Sequence, residues 1–169
     1  MKKSLSLLAA SLLCTPLLAN AAPLEQGTPY AGLNYSLLSF DVGEGAEIEP
    51  TALVGKAGFF LVDQIAVEGR LGLGATDDAG VEIDRMTGVY LSGHLPLGEQ
   101  ASLYALVGHS NVKVSDGGAG SESQSGFSYG FGVDLYPSEE FGVNLEYTQY
   151  LDETEVDLSA VSLGVKLHF

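Results

Sequence analysis

The last ten residues, Ala160-Val161-Ser162-Leu163-Gly164-Val165-Lys166-Leu167-His168-Phe169, alternate in character without a break. Successive side chains of an extended chain point to opposite sides. Val161, Leu163, Val165, Leu167 and Phe169 therefore share one face, and Ala160, Ser162, Gly164, Lys166 and His168 share the other. The same period recurs upstream. Phe127, Tyr129, Phe131, Val133 and Leu135 oppose Ser128, Gly130, Gly132 and Asp134, while Phe141, Val143, Leu145 and Tyr147 oppose Gly142, Asn144 and Glu146. Ile65, Val67, Gly69, Leu71 and Leu73 oppose Glu68, Arg70, Gly72 and Gly74. Clusters of Gly, Pro, Asp, Glu and Ser punctuate these runs. The pattern predicts eight strands, at 29–40, 51–61, 65–74, 83–95, 101–114, 127–136, 141–151 and 156–169. Strand five alone is ambiguous, because both of its faces are apolar.

The connections differ in length. Val62-Asp63-Gln64, Leu97-Gly98-Glu99-Gln100 and Pro137-Ser138-Glu139-Glu140 read as tight turns. Asp41–Glu49, Ala75–Glu82 and Ser115–Gly126 read as longer loops, with Asp152–Glu155 a short fourth on the same side. Tight turns at one end and long loops at the other are the pattern of transmembrane barrels, and an even strand count returns both termini to the turn end.

The N-terminus supplies an address. Lys2 and Lys3 precede an apolar stretch, Leu5 to Leu18, and Ala19-Asn20-Ala21 has the small-x-small form of a cleavage site. Residues 1–21 read as a secretory signal peptide, leaving 22–169 as the mature domain. Cys14 follows Leu13 rather than the small residue that lipidation wants, and it is the only cysteine, so the mature chain enters the oxidising compartment with no thiol. No later apolar run reaches the roughly 18–20 residues of a membrane helix, so a membrane reading requires a closed sheet. Removing Lys2 and Lys3 leaves five basic residues against 22 acidic ones, a net charge of −17. That balance excludes nucleic acid, whose phosphates call for a basic surface.

Alternation does not say which face points inward. A soluble ligand-binding barrel would turn its apolar face in. The polar face here is rich in Gly and Ser, which suits the crowded interior of an eight-stranded barrel. Its charges also balance, with Lys56, Arg70 and Lys166 against Glu68, Asp134 and Glu146. A narrow interior of low dielectric requires such balance, whereas water does not. Lys56 is expected opposite Glu68 or Arg70 and within diagonal reach of Glu68, with Glu146 neutralising a second cation. The apolar face carries Tyr35, Phe59, Tyr129, Phe141, Tyr147 and Phe169, several near strand ends, as an interfacial aromatic girdle does.

Together these pieces resemble the family of small outer-membrane β-barrel domains that includes the OmpA-like and OmpX-like barrels. The resemblance rests on Val67-Glu68-Gly69-Arg70, Leu95-Pro96-Leu97-Gly98 followed by Leu103-Tyr104-Ala105 and Gly108, and Phe127-Ser128-Tyr129-Gly130-Phe131-Gly132-Val133-Asp134, then on Leu145-Glu146-Tyr147 and the ending Leu163 to Phe169. It spans the mature chain and implies an all-β, eight-stranded antiparallel up-and-down transmembrane barrel in the outer membrane of a Gram-negative cell. It implies that the terminal aromatic Phe169 is part of the signal read by the barrel-assembly machinery, with Leu167 standing where many members carry a second aromatic. Outer-membrane lipid and lipopolysaccharide are the implied surroundings, and periplasmic chaperones the implied escorts. The peptidoglycan-binding domain that some relatives append has no room here.

Catalysis and metal binding find little support. His109 and Ser110 are adjacent on a strand and so face opposite ways, and no Ser and His are expected to share a face beside a carboxylate. The mature histidines His94, His109 and His168 are scattered and predict no zinc site. Asp116-Gly117-Gly118-Ala119-Gly120 lacks the ordered carboxylates of a calcium loop. No catalytic residue, cofactor or metal site is expected, and the role expected is structural or surface-interacting. A small pore and a soluble periplasmic barrel are the alternatives. The loop end is acidic, with Asp41, Glu44, Glu47, Glu49, Asp77, Asp78, Glu82, Asp84, Asp116, Glu122, Asp152, Glu153, Glu155 and Asp157 against Arg85 and Lys113. Such crowding makes divalent cations possible partners there.

Overall fold

The computed structural model describes residues 24–169 apart from 42–46, 49, 77–80, 117–119 and 154–155. The expected leader at 1–21 lies outside the described residues, as do several of the loop acids. Eight long strands form the wall: β1 (Pro29–Asp41), β3 (Thr51–Val62), β4 (Ile65–Thr76), β5 (Val81–Pro96), β6 (Ala101–Asp116), β7 (Gly120–Leu135), β8 (Phe141–Glu153) and β9 (Val156–His168). The two-residue strand β2 (Glu47–Ile48) lies against the outer end of β1. Each long strand pairs antiparallel with the next, and β9 pairs back onto β1, so the sheet is closed. Closure removes the unpaired edges that an open sheet would present to lipid.

The even-numbered residues point inward in all eight long strands, as the alternation of buried and exposed positions shows. The odd-numbered residues form an exposed apolar belt that includes Leu33, Leu53, Leu71, Val89, Phe131 and Leu163. The protein is therefore apolar outside and polar within, the inverse of a soluble ligand-binding barrel. Strand five of the sequence, β6, is resolved by the same rule: Ser102, Tyr104, Leu106, Ser110 and Val112 are inside, and Leu103 and Val107 outside.

Three inward tyrosines explain much of the glycine. Tyr30, Tyr90 and Tyr104 sit directly opposite Gly58, Gly108 and Gly132 on the neighbouring strands. A Cβ at Gly132 would stand 2.6 Å from the Tyr104 ring, and one at Gly58 2.7 Å from the Tyr30 hydroxyl. Each ring lies across its glycine, filling the lumen where the wall carries no side chain.

The strands run longer than expected on the loop side. Ser115–Gly126 was expected as loop, yet β6 continues to Asp116 and β7 begins at Gly120, with Asp116 paired to Gly120. The polar run from Gly120 to Gly126 has low strand propensity, but its backbone completes the ladder offered by β6, and pairing context outweighs intrinsic preference. β7 also ends at Leu135, leaving Tyr136 in the turn. Among the described residues β4 pairs with β5 only as far as Gly72–Met86, and β7 with β8 only from Tyr129 onward, so the outer ends of β5, β6 and β7 pair with one another as a three-stranded ribbon and not with β4 or β8.

At the turn end the segment before β1 folds under the barrel. The Gln64 amide donates to the Leu24 carbonyl at 2.8 Å and the Gly27 amide to that of Phe60 at 2.8 Å. Leu24 joins Tyr30, Phe60, Ala66 and Tyr136 in an apolar layer across that mouth.

Candidate functional site

The lumen is where polar chemistry concentrates, and it is organised in layers. Below lies the Leu24 layer. Above, toward the loops, Leu38, Ala52, Val54, Met86, Tyr90, Val112, Tyr150 and Leu158 belong to a second apolar cluster. Between them, three carboxylates each gather the donors around them.

Glu146 on β8 is the central one. Arg70 on β4 donates to both of its oxygens, Nη1 to Oε1 at 2.6 Å and Nη2 to Oε2 at 2.8 Å. Tyr104 donates from Oη to Oε2 at 2.8 Å, and Thr148 from Oγ1 to Oε1 at 2.9 Å. The Lys56 ammonium stands 3.9 Å from Oε2. A paired fork of this kind, with its remaining lone pairs occupied, is the geometry in which a buried ion pair is well compensated.

Glu68 takes the rest of Arg70, whose Nε donates to its Oε1 at 2.6 Å, and receives the Tyr30 hydroxyl at 2.8 Å. The Arg70 guanidinium lies 4.7 Å above the Tyr90 ring, a cation–π contact. Asp134 on β7 accepts from Lys166 Nζ at 3.0 and 2.8 Å and from Tyr136 Oη at 3.1 Å. Lys166 also stands 5.1 Å from the ring centres of both Tyr30 and Tyr104.

The structure thus brings all six charged residues expected on the inward face into one network, in which Arg70 is the second cation that Glu146 neutralises. Lys56 lies opposite Arg70 in the β3–β4 ladder, one of the two registers expected, with Glu68 diagonal to it, and the carboxylate it contacts is Glu146. The reason is that a narrow barrel lets β8 reach across the lumen to β3 and β4, a distance that ladder register does not encode. The tyrosines were missed as members. Tyr30 and Tyr104 sit on even positions, in phase with the polar residues, which was the signal available for them.

One expectation about catalysis is corrected by geometry. Ser92 and His94, two apart on β5, do share a face, and they meet a carboxylate. Ser92 Oγ lies 3.2 Å from His94 Nε2, and His94 Nδ1 lies 3.6 Å from Asp134 Oδ2. Residues two apart on a strand share a face, a relation that the adjacent pair His109–Ser110 does not have. The three are sealed, however, with Ser92 at 4% and His94 at 6% exposure, and the imidazole is packed between Phe60 and Tyr104. No lipid ester has a path to the hydroxyl.

Phe169 follows β9 on the outward face at 75% exposure, and its amide donates to the Pro29 carbonyl at 3.0 Å. Among the described residues, no group of three or more His, Cys, Asp or Glu converges to hold a metal ion. Of the acidic loop residues, Asp84 is described in full, and it lies 3.7 Å from Lys113. Glu44, Glu49, Asp77, Asp78 and Glu155 lie outside the described residues.

Residues 5–169 match the family described as the outer membrane protein beta-barrel domain. Among solved structures, the chain is similar to Ail, the attachment invasion locus protein of Yersinia pestis, with 21% identity, a TM-score of 0.62, and coverage of 85% of this chain and 99% of that one. It is similar to the N-terminal β-barrel domain of Pseudomonas aeruginosa OprF, with 16% identity, a TM-score of 0.64, and coverage of 83% and 97%. Neisserial surface protein A matches at 15% identity, a TM-score of 0.62, and coverage of 85% and 100%. At these identities the likeness is one of fold. No curated protein matches the chain.

Proposed function

The chain belongs to the outer membrane protein β-barrel domain family, and from that premise we propose a plugged outer-membrane barrel with a structural or surface-interaction role in the Gram-negative envelope. The observation that carries this reading is the state of the lumen charges. Lys56, Glu68, Arg70, Asp134, Glu146 and Lys166 are all at least 93% buried and occupied with one another. A conducting tube needs wetted side chains along its length, and an eight-stranded lumen is just wide enough to be filled. The interior therefore serves stability, and contact with the surroundings falls to the outer loops and the β5–β7 ribbon. The same burial supports a protein that is not an enzyme, since the Ser92–His94–Asp134 contact has no substrate access.

Phe169 is the assembly signal in this reading. The barrel-assembly machinery and periplasmic chaperones are the partners of biogenesis, and outer-membrane lipid and lipopolysaccharide those of the folded state. Planar-bilayer recording tests the plug: the folded full chain should give no stepwise currents at moderate voltage. Long-lived, reproducible conductance steps would overturn the reading in favour of a small pore. Cell fractionation should recover the protein with the outer membrane after a carbonate wash, and release into the periplasmic fraction would reject a membrane role.

A further inference from the structure

Two inward titratable residues are not among the six that balance the lumen. His94 on β5 and His168 on β9 are both buried, and both lie directly on the apolar layer at the turn end. The His94 ring stands 5.2 Å from that of Phe60, and the His168 ring 5.8 Å from that of Tyr30 and 5.7 Å from that of Tyr136. Tyr30, Phe60 and Tyr136 are the aromatic part of the layer that Leu24 and Ala66 complete. Backbone bonds tie the same pieces together. The His94 amide donates to the Gln64 carbonyl at 2.7 Å, the Gln64 amide to the Leu24 carbonyl at 2.8 Å, and the Gly27 amide to the Phe60 carbonyl at 2.8 Å. The segment that closes the mouth is thus fastened to the residues on which His94 packs.

The charges around the two rings already cancel. Those facing His94 are Asp134 on β7, Lys166 on β9, Lys56 on β3 and Glu68 on β4, with Ser92 beside it on β5 and the Tyr104 ring of β6 stacked 5.2 Å away. Those facing His168 are Lys166, Asp134 and His94, with Tyr30 and Tyr136 on its two sides. Asp134, the nearest carboxylate, holds Lys166 with both oxygens, accepts from Tyr136, and approaches His94 Nδ1 only to 3.6 Å. Among the described residues, His94 Nδ1 and both nitrogens of His168 have no hydrogen-bond partner. A proton on either ring would create a buried cation near Lys166, without a carboxylate of its own and against an aromatic layer. Buried charge left uncompensated in this way is strongly unfavourable. His109, the third histidine of the chain, is exposed on the outward face of β6 and is free of these constraints.

We infer that His94 and His168 form an acid-sensitive latch on the turn-end mouth of the barrel: neutral rings hold the Leu24 segment closed, and protonated rings release it. The inference rests on the plugged-barrel reading above and adds a condition that loosens the plug. An open mouth exposes both rings to water, where a histidine takes its proton at about pH 6.5. The open form therefore binds more protons than the closed one, and closure weakens as the pH falls below that value. At pH 5 each exposed ring favours opening by up to about 30-fold. The test is amide hydrogen exchange, followed by NMR on the folded chain in phosphatidylcholine nanodiscs at pH 7 and pH 5, each rate divided by its intrinsic value. Protection of Gly27 and Gln64 should fall at least tenfold at pH 5, while amides of the β6–β7 ladder keep theirs. His94→Gln/His168→Gln should hold the protection constant between the two pH values, and His109→Gln should behave as the wild type does. The imidazole resonances of the wild type supply a readout that needs no variant, since both buried rings should titrate together with the loss of protection. Unchanged protection at pH 5 would overturn the latch, and so would an equal loss in the double variant, which would assign the effect to carboxylates. Loss of protection with both rings still neutral would overturn it as well. Failure of the plug would show instead as stepwise currents at pH 7, a readout independent of these amide rates.

Discussion

On β9 the inward residues Ser162, Gly164, Lys166 and His168 are buried, while Val161, Leu163, Val165 and Leu167 between them stand 42–60% exposed. Neighbours in sequence thus live under different rules. The outward set meets fluid hydrocarbon, where any apolar side chain of suitable size serves. The inward set meets particular atoms: a fork, a hydroxyl, a glycine opposite a ring. Identity is therefore demanding on one face and permissive on the other, and the contrast can be probed residue by residue.

The largest effect should come from the centre of the network. Glu146→Ala leaves the Lys56 ammonium without its carboxylate and the Arg70 guanidinium with Glu68 alone in a dry interior, and breaking a buried pair on one side costs about 3–5 kcal/mol. The midpoint of urea unfolding from lipid vesicles, followed by circular dichroism, should fall accordingly. Glu68→Ala should cost less, because Arg70 keeps its bidentate partner. A shift under ~1 kcal/mol for Glu146→Ala would mean that this face is wetted and screened.

Two glycines of opposite facing sharpen the comparison. A Cβ on inward Gly132 meets the Tyr104 ring at 2.6 Å and the Leu145 carbonyl at 2.6 Å, whereas one on outward Gly93 meets nothing within 4 Å. Overpacking of a filled core costs about 1–3 kcal/mol, so Gly132→Ala should unfold at lower urea. Gly93→Ala should be neutral or slightly stabilising, since alanine restricts the unfolded chain more than glycine does. Equal effects at the two positions would erase the distinction between faces.

Deleting Phe169 removes an outward ring and one backbone hydrogen bond at the seam, so unfolding in vitro should shift by less than about 1.5 kcal/mol. In cells the same deletion should sharply lower the amount of heat-modifiable barrel. Unchanged cellular assembly would separate this residue from any signalling role. The smallest effect is expected for Asp84→Asn. Its pair with Lys113 is partly exposed, and such pairs contribute about 0–1 kcal/mol. An equilibrium unfolding curve indistinguishable from wild type is the expected result, and a loss comparable to that of Glu146→Ala would show the β5–β6 ribbon to be structurally coupled to the wall.

The wall of this molecule was legible in its sequence because one physical rule, period-two alternation, acts locally and in every strand. The inward phase of Lys56, Glu68, Arg70, Asp134, Glu146 and Lys166 followed from it. Who pairs with whom did not follow. The Arg70–Glu146 fork joins strands that share no ladder and depends on the width of the closed barrel, a property of the whole sheet. Tyr104 was harder to read for a different reason: β6 is apolar on both faces, so only its even position, in phase with the polar residues of the other strands, marked it as inward. The strand from Gly120 to Gly126 was invisible because its residues favour loops, and only the partner backbone of β6 extends it.

The seam between β1 and β9, running from Tyr30–His168 to Asp41–Asp157, bears on time rather than equilibrium. These partners are the first and last long strands, more distant in sequence than the partners in any other ladder of the wall. Contacts of such long separation form slowly. Until they do, two strand edges with unpaired amides and carbonyls are open to other chains. Weakening the seam should therefore lower the yield of folded barrel before it lowers the midpoint of unfolding. Survival of this chain depends first on how long its two ends wait for each other.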